Sequence, residues 1–184
     1  MMLLTKPSPV AFRGTIGVNL TSAFYFLPAT TTSDPVGYDA NVYTGFNTAY
    51  PGMKRDVVRT SGFNYVRLVT NCAPMLSALT QGNVARVDAY IADVLTAVQQ
   101  LLDSGIRVIF DVHISPSDTT WGPPVILAPK SAAGAKFVTL TQLISRIATA
   151  LRRFDAKDVA LENKAAAFAP NPVHCTKVQR FCTD

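Results

Sequence analysis

Asp111 and His113 stand two residues apart in the apolar run IRVIFDVH, and on a β-strand that spacing puts both side chains on one face. An imidazole beside a carboxylate can be held in one tautomer, move a proton or help hold a metal. Arg67 lies inside a second run, FNYVRLV, where a charge is costly unless paired. Glu162 and Asn163 close a third run, VALEN, and Glu162 is the one glutamate in the 184 residues. Asn19 closes a fourth, FRGTIGVNL. Each residue also has a plainer reading. Asp111 can satisfy a neighbouring backbone, and a lone histidine is more often structural than catalytic. Asp-x-His with no second ligand cluster is a weak metal signal, so no metal or other cofactor is expected.

These groups gain meaning from the elements that carry them. Residues 12–20, 63–69, 106–112 and 158–162 read as strands, being short, apolar and rich in β-branched or aromatic side chains. Between the second and third, Val84, Val87, Ile91, Val94, Val98 and Leu101 form a stripe at steps of three and four, the mark of an amphipathic helix, ended by Ser104-Gly105. Phe137, Leu140, Ile144, Ile147 and Leu151 repeat the stripe before the fourth strand. Pro51-Gly52 opens a short helical piece that Gly62 closes. The order β-α-β-α-β-α-β, with strands that are continuous apolar runs, implies an α/β fold with a parallel sheet and crossover helices. The polar groups then gather at the C-terminal ends of the strands, where such folds build their sites.

Composition narrows the classes. With 48% hydrophobic and 16% charged residues the chain is globular. Its mean hydropathy is +0.21, yet no run nears the roughly eighteen apolar residues that cross a bilayer. The net charge is +5, but the cations are scattered, and Arg152-Arg153 close a predicted helix where its dipole favours them. Neither a nucleic-acid nor a membrane partner is expected. No G-x-G-x-x-G or G-K-[ST] loop follows a strand. Cys72, Cys175 and Cys182 lack metal-type spacing; the last two could pair. The N-terminal apolar stretch stops at Leu4, too short for a secretory h-region. Either the protein is not exported or its start lies upstream, and compartment stays open.

The segments GFNYVRLV, a long helix, SGIRVIFDVH and VALEN together resemble the front half of glycoside hydrolase family 5, the cellulase family, over residues 12–163. That resemblance implies a TIM barrel and retaining cleavage of a β-glucan or related glycan. It implies that Arg67 orients a nucleophilic carboxylate, that His113 lies near the sugar at the cleavage point, and that Asn163 contacts a sugar 2-hydroxyl. Trp121, in the loop after the third strand, could stack on a sugar ring or simply anchor its own loop.

The family's Asn-Glu-Pro is missing, since Lys164 and Ala165 follow Asn163. Glu162 precedes the asparagine instead of following it, so it is at best a displaced catalytic carboxylate. Retaining hydrolysis needs two carboxyl groups about 5–5.5 Å apart, and a whole barrel needs roughly 250 residues. The expectation is therefore a truncated half barrel of about four strands, with residues 1–11 as an extension and 164–184 as an irregular tail outside the barrel pattern, the mark of a truncated or frame-shifted product. Such a half barrel would lack turnover, or act as a glycan-binding pseudoenzyme. Its open sheet edges and inner-face residues such as Ile109 would promote self-association. A small α/β hydrolase using Asp111 and His113 is the third reading, and it lacks a G-x-S-x-G nucleophile.

Overall fold

Four parallel strands form one sheet in chain order: β1 (Gly17–Phe24), β2 (Tyr65–Asn71), β3 (Arg107–His113) and β4 (Val159–Asn163). The computed structural model describes residues 12–25, 27, 34–114, 118, 120–122 and 134–163, with backbone alone at Gly134 and Asn163. Helices α1 (Phe46–Ala49) and α2 (Gly52–Thr60) join β1 to β2. Helices α3 (Ala73–Thr80) and α4 (Val84–Asp103) join β2 to β3, and α5 (Gly134–Leu151) precedes β4.

Strands in chain order, joined by crossovers of one hand, carry all their helices on one face. Burial agrees: Val66 and Leu68 on β2, and Val108, Phe110 and Val112 on β3, are at most 1% exposed and pack with the helices in a single core. The alternate residues Tyr65, Arg67 and Ile109 point the other way and stay half-buried. Register places Asn19 beside Arg67, Arg67 beside Ile109, and Asp111 beside both Val69 and Glu162. The polar positions therefore share this inner face.

Helix α4 shows why the third strand starts where it does. Asn83 Oδ1 accepts a hydrogen bond from the Arg86 backbone N–H at 3.1 Å and caps the helix start. At the other end the Gly105 N–H reaches Leu102 O at 2.8 Å and the Ile106 N–H reaches Leu101 O at 3.0 Å. This Schellman pairing needs a left-handed residue, and Gly105 supplies it at φ +74°. Ile106 is then buried and leads directly into β3.

Three details depart from the sequence reading. Strand β1 runs later than residues 12–20, because residues 12–16 instead cross beneath the sheet, where the Arg13 N–H donates to Lys157 O at 3.1 Å. Helix α3 has no sequence stripe because it is apolar nearly all round: Ala73, Pro74, Met75, Leu76 and Ala78 are all buried. Its Pro74 is tolerated in the first turn, where the missing N–H would have no partner. On α5, Leu143 is buried while Phe137 in the first turn is exposed, so the buried stripe is rotated from the one expected. The proposed Cys175–Cys182 pairing, the extension and the tail lie outside the described residues.

Candidate functional site

Arg67, Asp111, His113 and Glu162 meet on the inner face toward the C-terminal ends of β2, β3 and β4. Arg67 Nε donates to Glu162 Oε2 at 2.5 Å. Its Nη2 sits 3.0 Å from Asp111 Oδ2, without hydrogen-bond alignment. The same Oδ2 lies 3.1 Å from His113 Nδ1. One buried carboxylate thus joins a guanidinium to an imidazole, and the guanidinium joins it to a second carboxylate on the next strand.

Exposure is graded across the cluster. The Asp111 side chain is fully buried, His113 is 13% and Arg67 18% exposed, and Glu162 reaches 33%. Asp111 Oδ1 is buried with no hydrogen-bond partner among the described residues. Burial pushes the Asp111 carboxyl above its ordinary range, the Glu162 charge adds to that rise, and Arg67 and His113 oppose it.

That shift has a sign that can be tested. Because the folded-state pKa is raised, the folded chain holds a proton that the unfolded chain has already lost. The stability this gives is fully present below the ordinary value of 3.8 and is lost as pH rises through the folded value. Asp111→Asn keeps the shape and cannot titrate. Urea unfolding across a pH series should show that the variant lacks this descending segment. Parallel curves for wild type and variant would mean Asp111 titrates as an ordinary carboxylate.

Sequence reasoning missed two neighbours of the site. Tyr25, just past β1, packs edge-on against the His113 ring with centroids 5.1 Å apart. Asn71 ends β2 in register with His113. Its Nδ2 donates to Tyr25 O at 3.3 Å and its Oδ1 accepts from the Ala73 N–H at 3.0 Å. Buried Tyr43 donates to Asn71 O at 2.5 Å. Asn71 was findable, being a polar residue at a strand's C-terminal end like the others. Tyr25 carried no such signal.

The remaining expected residues are dispersed. Asn19, with Gly17, Tyr65, Arg67, Ile109 and Glu162, lines an inner-face concavity of about 340 Å³. Asn163 pairs in register with Val112; its side chain is outside the description. Trp121 is 5% exposed and packed into the core. Its backbone N–H donates to Asp118 Oδ1 at 2.9 Å, and Lys136 Nζ lies 5.4 Å from the ring centroid. Cys72 is fully buried, and burial, with the Asp111 charge second, pushes its thiol far up, so it is no nucleophile.

No group of three or more metal-type ligands occurs among the described residues, and no described helix is long and apolar enough to cross a membrane. The fold and cluster define an α/β chain with a charged inner-face site at its strand ends. No protein-family model matches the chain, and neither curated proteins nor solved structures give a match.

Proposed function

We propose that these strands and helices are the first four (β/α) units of a TIM barrel of the glycoside hydrolase family 5 kind. In this reading the inner-face cluster binds a β-glucan or related glycan without hydrolysing it. The reading is supported above all by Arg67, Asp111, His113 and Glu162 converging on one face of three successive parallel strands, with His113 and Glu162 at or next to the C-terminal ends of β3 and β4, the place where barrels bind substrate. Sequential strand order with helices on one face also favours a barrel over a doubly wound sheet, whose order reverses.

Binding is favoured over turnover by how the carboxyl groups are held. A retaining enzyme presents one ionised carboxylate and one protonated acid across the scissile bond. Here Glu162 is engaged by Arg67, and Asp111 is sealed beneath the cluster. His113, edge-on to Tyr25, and the exposed part of Glu162 remain to meet sugar hydroxyls.

Calorimetric titration with cellohexaose, paired with a reducing-end assay, tests this. Saturable binding without new reducing ends is expected. His113→Ala should bind about tenfold more weakly, the loss of one hydrogen bond of roughly 1–1.5 kcal/mol. A folded chain that binds no glycan overturns the reading, and released sugar would make the chain an enzyme.

A further inference from the structure

We propose that Asn71 is a positioning residue: it holds Tyr25 against the His113 ring and so fixes the imidazole with Nδ1 on Asp111 and Nε2 left for the ligand. The inference deepens the glycan reading and rests on it for the identity of the ligand alone.

Strand alternation puts Arg67, Val69 and Asn71 on one face of β2, and register sets Asn71 beside His113. Asn71 is itself held at several points. Its carbonyl accepts from the buried Tyr43 hydroxyl at 2.5 Å, and its Oδ1 accepts from the Ala73 N–H at 3.0 Å. The N–H of the next residue, Cys72, donates to His113 O at 3.1 Å and ties the ends of β2 and β3 together. From this fixed place Asn71 Nδ2 donates to Tyr25 O at 3.3 Å.

That last bond goes where the sheet gives little guidance. Pairing between β1 and β2 shifts register between Leu20 and Phe24, and Tyr25 lies just beyond. Its N–H turns back to Thr21 O at 3.1 Å, within the β1 segment. The Asn71 amide ties the Tyr25 carbonyl to β2, and the Tyr25 ring then meets the His113 ring at 66°, with centroids 5.1 Å apart. An imidazole needs such support, because its terminal torsion is broad and roughly twofold. Asp111 Oδ2, 3.1 Å from Nδ1, selects which edge faces the carboxylate. Tyr25 blocks the swing that would carry the ring away. A ring held in place before binding avoids the ordering cost of one loose side chain, about threefold to tenfold in affinity.

Asn71→Ser tests this. Serine keeps an oxygen that can accept from the Ala73 N–H, as such side chains do in turns, but it cannot reach Tyr25. The chain has two histidines, so its imidazole C–H signals are few, and His113→Ala assigns those of His113. In Asn71→Ser these signals should move toward their positions in Tyr25→Leu. Cellohexaose binding should weaken about fivefold, and that loss should vanish when His113→Ala is already present. Unmoved ring signals overturn the proposal. So does an equal loss in both backgrounds, which would mean that Asn71 acts other than through His113. Should Asn71→Ser not fold, Tyr25→Leu, which leaves the Asn71 amide in place, must show the same dependence on His113, and its absence overturns the proposal. Ring signals that move in a chain that binds no glycan defeat the glycan reading alone.

Discussion

Arg67→Met should destabilise the folded chain by about 3–5 kcal/mol at neutral pH, the usual result of removing one partner of a buried ion pair. That is a large share of the roughly 5–15 kcal/mol that holds a domain together. Methionine replaces the arginine stem, so little packing is lost. What remains is Asp111, fully buried, with His113 as its one ion-pair partner among the described residues. The effect should depend on pH. Burial already raises the Asp111 pKa, and Arg67 is the first force opposing that rise; without it the pKa climbs further. Below the ordinary value of 3.8 the carboxyl is neutral and needs no cation, so the penalty should be smallest there. It should grow as pH rises above the wild-type folded value and level off above the variant's higher one. Urea unfolding of both chains at several pH values measures this, and a penalty that ignores pH would assign the loss to something other than Asp111.

Trp121→Ala should cost about 3–5 kcal/mol, as truncation of a buried aromatic does. Trp121 is 5% exposed and belongs to the main core. Its backbone is fixed by Asp118, and Lys136, which lies over its ring, also donates to Thr120 O at 3.1 Å. The ring therefore ties the segment after β3 to the start of α5. An open sugar platform would behave differently, because the variant would keep its unfolding midpoint and lose only glycan affinity. Thermal and urea unfolding, set beside a cellohexaose titration, separate the two roles.

The legible parts of this chain were those with a period or a terminator. Helix α4 could be read from its stripe and from Gly105, and β2, β3 and β4 from runs of β-branched residues. Asp111 and His113 could be placed on one face by their spacing alone, and Arg67 could be marked as a charge in need of a partner. The identity of that partner was not legible. Glu162 reaches Arg67 across 95 residues of chain, and only the strand register brings them together. Helix α3 was hidden because burial on nearly every side erases the alternation that marks a helix. Strand β1 was misplaced because the polar Thr21-Ser22 interrupt its apolar run at a sheet edge and a register shift separates Leu20 from buried Phe24. Trp121 was open to two roles because sequence shows a ring's identity and not what covers it.

The central claim is that the inner-face cluster recognises a β-linked glycan, and amide chemical-shift mapping during a cellohexaose titration tests it most directly. The account expects saturable shifts concentrated at Tyr25, Arg67, Asn71, His113 and Glu162, weakened in His113→Ala. Shifts that map to the helical face, or none at all from a folded chain at saturating sugar, would contradict it.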